Sequence, residues 1–381
     1  MNLLDRHIFR SIGVASAMAV GMFAFILVTG NVIRDLLGPL LSGQLQVMAF
    51  LRLILLLLPF VISYALPLGM LTGVLLTLGR LSSDNEITAM RAAGLSLPRI
   101  ARPVFILGVL GALLGLRVNF ESMPWARVQY HRELAAAVRA NPISFIVPRT
   151  FIRQFPGYVV YLGSKDGSDI KDVWIWSLDS ERRVTRFLRA ESGKIDYDEA
   201  TNELVLTFSR ATTEEHDHKA PDDYTQSLKI VNAREVEPYR LSLLRYFASG
   251  AVHQKLQWMT YSELQAERER VASLAVAKGG ERQHGRDLMK VSLTIQDKFT
   301  MALAIFSFAF IGVPLGIKVS RRETSANLGV AVILALSYYF LVFMVESLDH
   351  PEFRPDLLVW LPNLAFLSMG FVLLRRLDRA R

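Results

Sequence analysis

The chain has no cysteine, so neither disulfides nor thiolate metal sites contribute, and any exported domain must be held together by its core. No Gly-x-x-x-x-Gly-Lys-[Ser/Thr] loop occurs, which excludes nucleotide binding in the P-loop manner. A zinc-protease helix motif and a Gly-x-Ser-x-Gly elbow are also missing. Charge is sparse: 20% of the 381 residues are Asp, Glu, Lys or Arg, against 51% hydrophobic, with a mean hydropathy of +0.30. The apolar residues are gathered in blocks rather than spread periodically, which is the composition of a membrane protein.

Blocks at roughly 11–33, 53–79, 100–120, 299–317, 328–346 and 357–374 are each long enough to cross about 30 Å of hydrocarbon. They form two groups of three, separated by a long stretch of ordinary polarity. Basic residues near the spans set the expected orientation. Arg6 and Arg10 precede span one, Arg80, Arg91, Arg99 and Arg102 lie between spans two and three, Lys318, Arg321 and Arg322 follow span four, and Arg375, Arg376, Arg379 and Arg381 close the chain. All four clusters fall on one side, whereas the loop between spans five and six reads Glu346, Asp349, Glu352 and Asp356 against Arg354. Both termini and the 80–102 connector are therefore expected in the cytoplasm, with the insert outside. These clusters account for most of the net charge of +8, so nucleic acid is not an expected partner. The first span is too long for a cleaved signal peptide, and Ala15-Ser16-Ala17 precedes its greasiest part.

From about Ile143 the pattern changes to period two. Tyr158-Val159-Val160-Tyr161-Leu162 and Val173-Trp174-Ile175-Trp176 read as strands. Lys194–Tyr197 and Glu203–Phe208 read as a hairpin closed by Asp198–Asn202, with Leu204, Leu206 and Phe208 on one face. A further strand is expected near Gln226–Val231. Strands without interleaved helices imply an antiparallel sandwich or jellyroll. After Tyr239 a helical pattern is expected: Thr260 and Glu263 form a possible capping box opening a helix to about Ala277, Gly279-Gly280 breaks it, and a second helix runs from Arg286 into span four. His216-Asp217-His218 sits in a polar run with Glu214, Glu215 and Asp222 and reads as a solvated loop rather than a metal ligand set.

The connector between spans two and three carries its own start and stop signals. Ser83 and Glu86 have capping-box spacing, Gly94 tolerates the left-handed conformation that ends helices, and Pro98 opposes early resumption. The predicted helix is about ten residues, or ~15 Å. Ile87 and Met90 share a face, giving an apolar knob beside an acidic group at the positive helix end. Such a helix suits docking of a partner; the plainer reading is a loop in which Glu86 only caps.

Arg34, Arg52 and Arg117 stand at the outer ends of spans one to three, against the usual charge bias. Each alone reads as snorkelling to headgroups; together they suggest a basic ring suited to a phosphorylated amphiphile, since guanidinium binds phosphate in a fork. Gly69 with Gly73 and Gly312 with Gly316 permit close helix contact, and Pro59, Pro67 and Pro314 allow bends. Packing alone explains these.

These residues resemble the lipopolysaccharide export permeases LptF and LptG over essentially the whole chain. The resemblance is carried by Leu76-Thr77-Leu78-Gly79-Arg80-Leu81 running into Asp84-Asn85-Glu86-Ile87-Thr88-Ala89-Met90-Arg91-Ala92-Ala93-Gly94-Leu95-Ser96, by Gly312-Val313-Pro314-Leu315-Gly316-Ile317, and by Trp360-Leu361-Pro362-Asn363. Ala140-Asn141-Pro142 and Asp166–Val173 resemble the LptF side of the family. The resemblance implies a membrane α+β fold: residues 1–120 with spans one to three and a coupling helix at 83–94, 121–297 with a periplasmic antiparallel β-jellyroll and flanking helices, and 298–381 with spans four to six. It implies a non-catalytic half-transporter of the bacterial inner membrane that extracts lipopolysaccharide. Its implied partners are a second LptF/LptG-type permease, a cytoplasmic LptB-like ATPase dimer, and LptC-like and LptA-like periplasmic jellyroll proteins, with no cofactor or metal. Asp84, Glu86, Ile87, Met90 and Arg91 would couple to the ATPase, Glu86 entering a groove on it, and spans one and five would line a lateral gate. Arg34 matches a family position facing lipid phosphates, with Asn31 standing where a neighbouring family lysine would be; Arg52 and Arg117 complete the expected lipid contacts. Strand addition at a sheet edge is the physical route by which such β domains join. Two other classes stand beside this one: a transmembrane signalling scaffold, and a membrane-bound envelope hydrolase, for which no convergent acid, base and nucleophile spacing is found.

Overall fold

A computed structural model describes residues 3–41, 45–140, 146–152, 157–179, 183–198, 203–215, 229–235, 238–242, 255–274, 281–319, 324–348 and 351–379, with Ile143, Phe155 and Thr201. Asn141-Pro142, His216-Asp217-His218, the start of the Gln226 strand, Gly279-Gly280, Arg321, Arg322, Asp349 and Arg381 lie outside the described residues, as do Glu199, Ala200 and Asn202 of the hairpin turn. The chain divides into two compact units, one of Met1–Val32, Ile54–Tyr130 and Gln254–Arg381, the other of Ile33–Leu53 and His131–His253.

The first unit is helical. In chain order its helices, some of which run on beyond it, are α1 (Leu3–Asp35), α3 (Val47–Ser83), α4 (Glu86–Ala92), α5 (Leu97–Arg117), a π-helical segment at Val118–Ser122 leading into α6 (Met123–Ala140), α7 (Tyr261–Ser273), α8 (Glu281–Val319), α9 (Thr324–Glu346), α10 (Pro355–Leu358) and α11 (Leu361–Arg379); α2 (Leu37–Leu41) belongs to the second unit. Among the described residues six stretches are long and apolar enough to cross a membrane, at Leu3–Asp35, Val47–Ser83, Leu97–Ala137, Gln283–Lys318, Gly329–Glu346 and Pro355–Arg379. They coincide with the expected spans, but their helices continue past the apolar blocks at several ends.

Helix α8 is the axis of this unit: 67% of its most apolar window is buried, against 17% in α1 and 22% in α9. Ile305, Phe308, Ala309, Ile311 and Val313 of α8 are sealed from solvent. The glycine pairs show why helices can come so close. A Cβ added to Gly73 would lie 2.2 Å from Ser16 Oγ and 2.5 Å from the Ser16 Cα, while one on Gly312 would meet Val74 at 3.0 Å. Gly69 and Gly73 thus seat α3 on α1, and Gly312 and Gly316 seat α8 on α3. Buried polar links add direction to this packing: Asn363 Nδ2 donates to Thr300 O at 2.9 Å and Ser307 Oγ donates to Asn363 Oδ1 at 2.9 Å, tying α11 to α8. The Thr260 capping box is formed, with Thr260 N–H donating to Glu263 Oε2 at 2.8 Å. Helix α7 ends at Ser273 and α8 begins at Glu281, so the second helix starts earlier than the sequence suggested.

The described strands of the second unit form one antiparallel sheet in consecutive order: β1 (Phe151–Ile152), β2 (Tyr158–Asp166), β3 (Asp169–Leu178), β4 (Val184–Asp198), β5 (Glu203–Glu215) and β6 (Lys229–Glu235), with β7 (Tyr239–Ser242) also on β5. Strand β7 corrects the expectation that the chain turns helical after Tyr239; Tyr239 pairs with Leu206 and Leu241 with Leu204. Strands β6 and β7 share one edge of β5, β6 along Ser209–Glu215 and β7 along Glu203–Leu206. The hairpin forms in the expected register, Tyr197 opposite Leu204 and Ile195 opposite Leu206. Alternation places Val160, Leu162, Ile170, Val173, Ile175, Leu188, Ile195, Leu204, Leu206 and Phe208 in one core.

Candidate functional site

The connector between α3 and α5 is shorter and more firmly seated than its sequence implies. Helix α3 continues through Ser83, whose hydroxyl donates back to Arg80 O at 2.9 Å, so Ser83 is a helical residue and the Ser83–Glu86 capping box does not form. The turn is made instead by Asn85, in the left-handed conformation at φ 59°, and α4 is seven residues rather than about ten. Asparagine tolerates that conformation better than most residues. Gly94 does supply the stop: at φ 89° it lets Leu95 N–H reach Met90 O at 3.1 Å, the closure of a Schellman-type end. Pro98 does not delay the next helix; α5 starts at Leu97 with Pro98 in its first turn, where a missing N–H costs nothing.

Ile87 is not an outward knob. It is 3% exposed and packs with Ile8, Ile12, Leu78, Leu81, Leu97, Ile100 and Leu374, with Met90 and Leu95 half-buried against the same cluster. A seven-residue helix is unstable alone, and burying its apolar side in the bundle supplies what local propensity cannot. Ser82 Oγ adds a tether, donating to Ile317 O at 2.9 Å at the far end of α8. Asp5, buried near the start of α1, lies 3.8 Å from Arg99 of α5. The surface left outward is Asp84, Asn85, Glu86, Thr88, Ala89 and Ala92, with Arg91 half-buried. It is a small, acid-led face on a helix fixed to α1, α3, α5 and α11. Neither Ser82 nor Asp5 stood out in the sequence, since a lone polar residue at a helix end carries no signal of a distant partner.

Arg34, Arg52 and Arg117, expected at the outer ends of spans one to three, each have a carboxylate close by. Arg34 grips Asp35 through two bonds of 2.9 and 3.1 Å, Arg52 lies 3.9 Å from Glu133, and Arg117 lies 3.5 Å from Glu121. Their side chains remain 73%, 61% and 75% exposed. Exposed pairs of this kind are weak, and the acids reduce the local positive charge that a bare ring would have. Asn31, beside Arg34 in sequence, donates to Leu27 O at 2.8 Å along its own helix. Among the described residues no group of three His, Asp or Glu could hold a metal ion.

A family model described as lipopolysaccharide export system permease LptF/LptG matches residues 6–376. The chain belongs to the LptF/LptG family. Relatives named lipopolysaccharide export system permease protein LptF, from Escherichia coli strain K12 and from Shigella flexneri, are each 22% identical over 341 residues, covering 89% of this chain and 85% of theirs. The protein is thus a multi-pass membrane permease of the lipopolysaccharide export system, and the relatives' name agrees with the LptF-like Asp166–Val173 segment, which forms the β2–β3 hairpin. Within an LptF/LptG permease the three quoted motifs acquire physical reasons. The 76–96 segment builds the seated connector, Gly312 and Gly316 admit α3, and Asn363 bonds α8 from within the Trp360–Asn363 run.

Proposed function

We propose that this permease sits in the bacterial inner membrane with its connector in the cytoplasm and its sheet unit in the periplasm, and that it turns ATP hydrolysis by a separate LptB-like dimer into extraction of lipopolysaccharide. The observation that carries the reading is the seating of α4: Ile87 is buried among side chains of four other helices while Asp84 and Glu86 point to solvent. A push on Glu86 is therefore a push on the bundle, because the apolar side of the short helix cannot slide without opening the core. The basic clusters at Arg6, Arg10, Arg80, Arg99 and Arg102 support the cytoplasmic placement of that end. Glu86 would be the contact to the ATPase, aided by Asp84 and Arg91, with Met90 only partly available and Ile87 acting from inside.

The chain itself hydrolyses nothing in this reading. Exposed apolar residues on α1 (Met18, Met22, Phe25) and α9 (Ile333, Leu336, Phe340) give lipid-facing or permease-facing sides, as a lateral gate shared with a second LptF/LptG-type permease requires. Arg34, Arg52 and Arg117 would meet lipid phosphates, and the sheet would pass lipid to LptC-like and LptA-like proteins by edge pairing. Replacing Glu86 with Ala is expected to leave ATP turnover in the assembled complex but to cut lipopolysaccharide release from reconstituted vesicles by about tenfold or more, the loss of one charge-assisted contact. Unchanged release would remove Glu86 from the coupling role.

A further inference from the structure

A second site lies at the other end of the helical unit, in a cavity of about 190 Å³ walled by α3, α6, α8, α9 and the Gln257-Trp258 turn. Asp297 and Glu346 both line it. Asp297 Oδ1 is sealed from solvent and accepts no hydrogen bond. None of the ion pairs among the described residues includes Asp297 or Glu346. Lys298 and Arg127 line the same cavity; Lys298 Nζ donates to Asn119 O at 2.9 Å and Met259 O at 2.8 Å, and the Arg127 guanidinium stacks 3.8 Å over the Phe60 ring. Among the described residues the cavity therefore presents two carboxylates that form no ion pair, one of them with a sealed oxygen that accepts no hydrogen bond.

The walls say what kind of cation fits. Phe60, Tyr64, Trp258, Tyr339 and Phe343 line the space, and aromatic faces attract organic cations. Among the described residues no group of three His, Asp or Glu could hold a metal ion, whereas an ammonium needs acceptors for only three N–H groups. The cavity is roomy enough for the four heavy atoms of an ethanolamine. Glu346 is the last residue of its spanning stretch, which places the cavity at headgroup depth. From Phe343 an exposed apolar stripe runs along α9 through Phe340, Leu336 and Ile333, the path an acyl chain would take.

We infer that this cavity binds a primary ammonium group, with Asp297 and Glu346 as its acceptors, of the kind carried by an ethanolamine-bearing lipid headgroup. The inference does not rest on the coupling role of Glu86 and survives if that role fails. The test uses the full-length protein in mild detergent and follows thermal stabilisation by free ethanolamine and by its neutral counterpart N-acetylethanolamine. Saturable stabilisation by ethanolamine alone is expected, with Asp297→Asn and Glu346→Gln each weakening it by about tenfold or more through loss of a charged acceptor. Equal stabilisation by both compounds, or none by ethanolamine, overturns the inference; this arm uses the wild-type chain and stands even if Asp297→Asn fails to fold. Undiminished binding in a folded Asp297→Asn protein also overturns it. The source of the amine is read by mass spectrometry of lipids retained from vesicles of phosphatidylethanolamine mixed with phosphatidylglycerol. Enrichment of the ethanolamine lipid on wild type but not on Asp297→Asn assigns a headgroup; enrichment on neither, with ethanolamine still binding, assigns a free amine.

Discussion

The helical unit and the sheet unit solve burial in opposite ways. In the sheet, side chains alternate, so each strand delivers every second residue to one face, and the core follows from register alone: Ile195 opposite Leu206, Tyr197 opposite Leu204. In the helical unit most of the surface is apolar on all sides, so burial is no guide to packing. What selects the contacts there are missing side chains, as at Gly73 against Ser16, and a few buried polar bonds, as from Asn363 to Thr300. The sheet is specified by what its residues contribute and the bundle by what some of its residues leave out.

That contrast can be broken from either side. The largest expected effect is Phe208→Ala, which empties a fully buried position in the sheet core and should cost about 3–5 kcal/mol. Hydrogen exchange should show the β4 and β5 amides opening while α3 and α8 keep their protection; protection lost equally in both would mean the units do not unfold separately. Next is Gly73→Ala, a gain of one methyl group, expected to cost about 1–3 kcal/mol by overpacking because the clash is with backbone as well as side chain. Melting of the purified protein would register it, and an unchanged midpoint would show that α1 yields freely. The smallest effect on stability is expected for Arg34→Glu, whose partner Asp35 is exposed and whose solvent-screened pair contributes little. Here the informative readout is photocrosslinking to lipopolysaccharide: a clear drop supports the phosphate contact, and equal crosslinking leaves only a headgroup anchor.

Legibility followed the same divide. The β2–β5 strands and the hairpin register were readable because period two survives in any sequence window, whereas β1 and β7 were missed, being two and four residues long and placed by their partners β2 and β5. The six spans were readable from length and hydropathy. The connector was legible in position and in its Gly94 stop, but not in its orientation. Ile87 and Met90 share a helix face whether that face looks out or in, and only the neighbours Ile8, Leu97 and Leu374 turn it inward. The Ser83 box failed for a related reason: whether a serine caps a new helix or continues the old one depends on where α3 stops, and α3 is carried past it. Asp297 and Glu346 could each be seen as charges near span ends, yet nothing local links two residues so far apart.

By itself the sequence determined that this chain crosses a membrane repeatedly, carries an inserted antiparallel sheet and lacks a P-loop and thiols, since each of these is written in composition, in motif spacing or in periods of two and of helical turns. Only the tertiary structure decided which helix each glycine admits, which way the connector's apolar side turns, and which distant carboxylates share a cavity. Local periodicity fixes the faces of an element, but the rotation of one helix against another is set by contacts between residues that the chain itself keeps far apart.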